Sequence, residues 1–352
     1  MKPAECPTGF SFTGPEGGSM MKTKELSRLL GYSLILLMGL LIFAPAEAAK
    51  EFPRKPITVV VSFPAGSSTG VAAQKLVNII MQKKYLPQPL QVIYKPGGAG
   101  TIGLAEVLQG KADGYTAAYN PSAPILVQPL VKELPYSHRT LIPVIPVIKF
   151  PWLLAVKGDA PWKTIQDFLE YAKQHSGEVT VGTAGDYTWG HVALIQITKA
   201  SGIKFRHVPF QGSVPNATAL LGGHINASLV ISGDVMAQVS AGKIRILASV
   251  EPERTPFAPD APTFKEIGYD IRGTMHTNIL VVPKGTPEEV VETLHEAFKK
   301  AVDTDDFKEF TKEAGGSPGY IGYQGLPSIL DETVKEVAQS LEKIGVKVRK
   351  FQ

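Results

Sequence analysis

From Ile57 to Val250 short β-branched runs alternate with helical stretches almost without a break. That alternation confines the chain to α/β architectures whose sheets are largely parallel. Strands are predicted over Ile57–Phe63, Leu90–Tyr94 and Tyr115–Tyr119, with helices over Val71–Lys83 and Ile102–Gln109 between them. Pro121 to Pro146 is read as a long surface connection. A second series begins at Trp152–Lys157 and runs through strands near 179–182, 204–208, 225–230 and 244–250. Helices are expected at 164–175, 189–200, 214–221 and 235–241. Thr277–Pro283 is a further strand, and Thr286-Pro287-Glu288-Glu289 reads as a helix start with Thr286 as N-cap and Pro287 at the first position.

About 300 residues of this kind suggest two domains. If the C-terminal helices return to the first lobe, residues 49–150 and 277–352 form lobe 1 and 151–276 form lobe 2. The chain then crosses twice between them, which makes a hinge able to open and close on a ligand.

The N-terminal segment lies outside this pattern. Lys22, Lys24 and Arg28 precede an apolar run from Leu29 to Phe43, and Ala46-Glu47-Ala48 follows. These are the three parts of a secretory signal peptide, cleaved after Ala48. The run is shorter than the ~20 residues a membrane span needs. Met20 or Met21 is the expected start. The only cysteine, Cys6, precedes the cleavage point, so the exported chain has no disulfide, thiolate metal site or cysteine nucleophile. A periplasmic, diffusible protein is expected. Residues 1–48 carry four basic and four acidic side chains, so the net charge stays at +4 after their removal. The Lys and Arg are scattered, and no basic stripe of the kind nucleic acid requires is present.

Three turns invite chemistry. Gly66-Ser67-Ser68-Thr69-Gly70 matches the G-x-S-x-G pattern of a nucleophile elbow. A secreted esterase using Ser68 is therefore one reading, with Asp234 and His276 or His295 as its partners. It lacks the preceding strand and oxyanion loop of that fold. The stronger reading is a small-residue turn whose backbone N–H groups, at a helix start, face an anion. Gly98-Ala99-Gly100-Thr101-Ile102-Gly103 has dinucleotide-site spacing but no acid at the end of the next strand, so it reads as an ordinary strand-to-helix turn. In Gly185-Asp186-Tyr187-Thr188-Trp189-Gly190-His191 two aromatics in a polar turn point to ligand contact. Asp186 and His191 lack a third ligand at useful spacing, so no metal is expected.

Ordered landmarks then carry a family resemblance. Phe63-Pro64-Ala65-Gly66, Lys95-Pro96-Gly97-Gly98, Asp113-Gly114-Tyr115-Thr116 and Leu134-Pro135-Tyr136 stand in the first half. Val208-Pro209-Phe210, Leu220-Leu221-Gly222-Gly223, Ala241-Gly242-Lys243 and Pro283-Lys284-Gly285-Thr286-Pro287 stand in the second. Together they resemble the Bug family, the periplasmic solute-binding components of tripartite tricarboxylate transporters. The resemblance implies a type II periplasmic binding protein of two α/β lobes with no cofactor and no enzymatic activity. It implies a small carboxylate ligand and membrane transporter subunits as partners, with the binding component a monomer. A sensor that signals through a receptor is the alternative use of the same fold.

The ligand loops map onto Phe63, Ala65, Gly66, Ser67, Ser68, Thr69 and Gly70 from one lobe. From the other they map onto Gly185, Asp186, Tyr187, Thr188, Trp189 and His191. Asn120, Phe210, Gln211 and Asp234 complete the candidates. Gly70 replaces an Asp frequent in the family, Gln211 a frequent Lys, and Asp234 a smaller residue. Tyr187 and Trp189 replace small residues, which points to a carboxylate with an aromatic or apolar body.

Overall fold

The computed structural model describes residues 52–271, 276–320, 322 and 325–349. The signal-peptide segment and its cleavage site lie outside the described residues.

Lobe 1 opens with β1 (Ile57–Val61), α1 (Ser68–Lys83), β2 (Leu90–Tyr94), α2 (Thr101–Leu108) and β3 (Thr116–Pro121). Two one-turn helices follow, α3 (Ala123–Leu126) and α4 (Gln128–Val131), and then β4 (Leu141–Lys149). Lobe 2 contains β5 (Trp152–Lys157), α5 (Ile165–Gln174), β6 (Thr180–Thr183), α6 (Trp189–Ser201) and β7 (Arg206–Pro209). It continues with α7 (Ser213–Leu221), β8 (Ala227–Ile231), α8 (Ser232–Ser240) and β9 (Ile244–Ser249). The chain then returns through β10 (Thr277–Pro283), α9 (Glu288–Val302), α10 (Asp305–Glu313), the two-residue β11 (Ser317–Pro318) and α11 (Leu326–Lys343).

The two sheets repeat one plan. Sheet order is β11-β4-β10-β3-β1-β2 in lobe 1 and β7-β6-β8-β5-β9 in lobe 2. β1 lies between β2 and β3, and β6 between β7 and β8, in each case parallel to both neighbours. The strand arriving from the other lobe, β10 or β5, then inserts antiparallel beside β3 or β8. This turns the C-terminal ends of β1, β3, β6 and β8 toward one crevice, where ligands bind in open α/β sheets. The crossings fall between Lys149 and Trp152 and between Ser249 and Thr277.

Helix boundaries follow local chemistry. Thr164 and Asp167 form a reciprocal capping box that starts α5. Ser67 and Thr188 cap α1 and α6 through their hydroxyls. α9 departs from expectation: Pro287 is the N-cap, and the Thr286 hydroxyl donates instead to the Pro283 carbonyl at 2.8 Å.

The region from Pro121 to Pro146 is not a surface connection. Residues 121–130 are all buried, with prolines in the first turns of α3 and α4, where their missing N–H costs nothing. Pro143 and Pro146 lie in β4, and the register against β10 shifts beside each of them. Those bulges let a strand tolerate residues that cannot donate to a ladder. Among the described residues no helix is long and apolar enough to cross a membrane.

Candidate functional site

The starts of four helices meet between the lobes. Thr69 of α1, Thr188 and Trp189 of α6, Ser213 of α7 and Ile231 at the N-cap of α8 all line one small cavity. Phe63, Pro124, Trp152 and His276 supply most of its apolar wall. Each helix start presents first-turn N–H groups with no intrahelical partner and the positive end of the helix dipole. No Lys or Arg lines the cavity among the described residues. Its volume is about 20 Å³, room for roughly one water, so the lobes must part to admit anything larger.

The lobes are drawn together by polar contacts as well as apolar ones. Trp189 Nε1 donates to Ser122 Oγ at 2.9 Å. The Ser68 N–H donates to Asp234 Oδ1 at 2.8 Å across 166 positions of sequence. Ser232 Oγ donates to the Gly315 carbonyl at 2.6 Å. Gly185 has φ +137°, and a Cβ there would stand 2.7 Å from Ala99 Cβ of the facing lobe. Only glycine combines that backbone with so close an approach.

Phe63, Thr69, Thr188 and Trp189 are thus at the cavity itself. Ser67 and Gly70 are buried in the turn behind it, where the Ser67 hydroxyl accepts the Gly70 N–H at 3.2 Å. Asn120 lies in the floor and accepts the Ser62 N–H at 3.2 Å. Ala65, Gly66, Asp186 and Gln211 are exposed, while Tyr187, His191 and Phe210 are half-buried and away from the cavity. Trp189 is only 4% exposed, so it is a buried lobe contact and not a mobile aromatic. Asp234 is not a cap: Ile231 holds that position, and the carboxylate reaches the opposite lobe.

Trp152 and Ser213 were not among the site residues expected from the sequence, and His276 was expected only as a possible partner of Ser68 in the esterase reading. Ser213 opens a helix behind Gly212 and could have been weighed with the other helix starts. Trp152 and His276 looked like crossing residues, and only the fold brings them to the cleft. The Gly98–Gly103 turn also belongs to the lobe contact, because Ala99 faces Gly185 of lobe 2, and Gln128 Nε2 holds the Ala99 carbonyl from within lobe 1 at 2.8 Å.

Two sealed polar atoms, Asn120 Nδ2 and His276 Nε2, find no hydrogen-bond partner among the described residues. Such atoms are uncommon in native interiors, and their concentration near one cleft marks unused binding capacity. Burial pushes the Asp234 carboxyl above its ordinary range, opposed by the nearby Ser213 and Ser68 groups. Burial lowers His276 to about 3, so it is neutral.

Behind the second turn Asp186, His191 and His207 bring their ligand atoms within 4.8 Å of one another. The histidine rings are stacked at 3.9 Å and 15°. In-plane nitrogen lone pairs of parallel rings do not converge on one ion, and His191 Nδ1 already accepts the Tyr187 N–H at 2.9 Å. The arrangement is a stack rather than a metal centre. Burial, then the His207 and Lys132 charges, lower His191 to about 4 despite Asp186. Ser68 Oγ has no histidine bonded to it among the described residues, so the elbow lacks the base a nucleophile needs.

A larger hollow of about 500 Å³ shares His276 with this cavity. Its walls come from β4, the loop after β9 around Arg254, the β11 region, the start of α11 at Leu326, and the crossing residues Phe150, Pro151 and Thr277.

Two α/β lobes, two crossings and a crevice at the strand ends define a type II periplasmic binding protein. The chain belongs to the tripartite tricarboxylate transporter family of receptors, whose model matches residues 74–346. It is 34% identical over 305 residues to the UPF0065 protein in the gbd 5′ region of Cupriavidus necator, covering 86% of this chain and 91% of that one. The structure of the periplasmic binding protein BugD matches with TM-score 0.78 and 26% identity, over 84% of this chain and 99% of that chain. A Rhodopseudomonas palustris protein solved with bound malate matches with TM-score 0.75 and 26% identity, over 83% and 99%. The resemblance read from the sequence therefore holds for both family and fold, and the family and its structural neighbours are solute-binding proteins, not enzymes.

Proposed function

We propose that the protein is exported to the periplasm, captures a small carboxylate between its lobes and delivers it to membrane subunits of a tripartite tricarboxylate transporter. The observation that carries this reading is the convergence of four helix starts on a cavity with no basic side chain among its described walls. Backbone dipoles and amides favour an anion there without a buried counter-cation. The malate-bound neighbour supports a carboxylate in this fold. The larger hollow is the poorer choice, because one helix start, that of α11 at Leu326, opens on it, against four at the smaller cavity.

Phe63 and Trp189 would wall the ligand's apolar body. Thr69 would face the ligand from lobe 1, with Ser67, Ser68 and Gly70 shaping the turn behind it, and Gly185 to Trp189 would close from lobe 2. A thermal-shift screen of small carboxylates tests this. Ligand at ~100 times Kd should add ~2.7 kcal/mol to stability, and Trp189→Ala should abolish the shift. A Trp189→Ala variant that stays folded and keeps the full shift would contradict the assignment.

A further inference from the structure

Resting on that reading, we propose that Trp152 and His276 form a hydroxyl-binding subsite of the same cavity, so that the captured molecule is a 2-hydroxycarboxylate.

Both side chains line the cavity, and both are more than nine-tenths buried, at 3% and 6% exposed. They come from the two crossings: Trp152 opens β5, and His276 stands one residue before β10. Their rings meet edge-on, with centroids 5.6 Å apart and planes at 79°. Trp152 Nε1 joins His276 Nε2 as a sealed atom with no hydrogen-bond partner among the described residues. The indole N–H can only donate. Burial keeps the imidazole neutral, so its Nε2 is either an acceptor or a single donor. Two sealed polar groups on one wall are costly to leave unmade, and a ligand group that serves both removes the cost.

A hydroxyl is the group that does so. Its oxygen accepts from Trp152 Nε1, and it donates to or accepts from His276 Nε2 whichever ring nitrogen carries the proton. A carbonyl oxygen serves His276 only when Nε2 is protonated, and a methylene serves neither residue. The hydroxyl's place on the ligand follows from packing. The first turn of α6 lies directly on the indole: a Cβ at Gly190 would stand 2.5 Å from Trp152 Cζ3. The start of α6, one of the four assigned to the anion, therefore adjoins the hydroxyl subsite. Polar groups bound side by side belong on neighbouring carbons of the ligand, as in a 2-hydroxy acid.

Titration calorimetry on the exported chain compares butyrate, succinate and phenylacetate, each with its 2-hydroxy and 2-oxo counterpart. In the series that binds best, wild type should hold the 2-hydroxy acid at least about tenfold more tightly than the parent acid, and more tightly than the 2-oxo acid. Trp152→Phe keeps an aromatic ring against Gly190 and removes the N–H, while His276→Phe keeps a ring and removes both nitrogens. Each should lower the hydroxy-to-parent ratio about tenfold, with circular dichroism checking that the variant is folded. If neither variant folds, the wild-type ratios decide alone. A hydroxy-to-parent ratio near one in wild type, a 2-oxo acid that binds as tightly as the hydroxy acid, or a ratio unchanged in a folded variant would overturn the subsite while leaving carboxylate capture intact. If none of the acids binds wild type, the capture reading falls and this inference with it.

Discussion

His276 illustrates how a single buried residue adds to the fold's acid sensitivity, alongside His191. It sits edge-on to Trp152 with ring centroids 5.6 Å apart, and burial lowers its pKa to about 3 from an ordinary 6.5. Between those values the unfolded chain binds a proton that the folded chain refuses. Stability is therefore full above pH 6.5 and falls as the pH drops toward 3, with a slope approaching ~1.4 kcal/mol per pH unit from this one group. Asp234 acts in the opposite sense, since its raised pKa makes the folded state the better proton binder above the ordinary carboxylate range. Urea unfolding between pH 4 and 7 should show the acid-side loss, and His276→Gln should flatten it. Parallel curves for variant and wild type would mean that His276 is not held neutral. Neither environment was legible from the chain. His276 lies in a crossing segment and Asp234 pairs across 166 positions, and the partners that define both come from long-range packing.

At the scale of elements, the helix starts were the most readable part of the molecule. Small-residue turns after β-branched runs located Ser67–Gly70 and Gly185–Trp189 because turn chemistry is local. The proline-rich stretch was misread for the complementary reason. Proline ends regular structure in most contexts, and only the bulged pairing with β10 and the positions of Pro124 and Pro129 in α3 and α4 accommodate it here. The Gly185 turn shows what its glycine is for. Gly185→Ala adds a strained φ and a clash with Ala99 at 2.7 Å, so it should destabilise the protein by ~1–3 kcal/mol and weaken carboxylate binding at least tenfold. Gly177→Ala is the control: its φ is +94° but nothing lies within 4 Å of the added Cβ. It should lose stability and keep affinity. Equal affinities in the two variants would show that the Gly185–Ala99 approach plays no part in closure.

The whole molecule repeats one sheet plan twice and shares two crossings, so the cleft is a consequence of topology and its contents are a matter of a few side chains. Alternating period and length made the α/β class visible in the sequence, while which strand ends would face one another depended on the antiparallel insertion of β5 and β10. The central claim is that helix starts, not a basic residue, hold an anion between the lobes. Calorimetric titration of the best-binding carboxylate beside its primary amide tests it most directly. The two are nearly isosteric and differ in charge. The carboxylate is expected to bind at least tenfold more tightly than the amide, whereas an amide that binds as well as the acid would show that the cleft does not recognise negative charge.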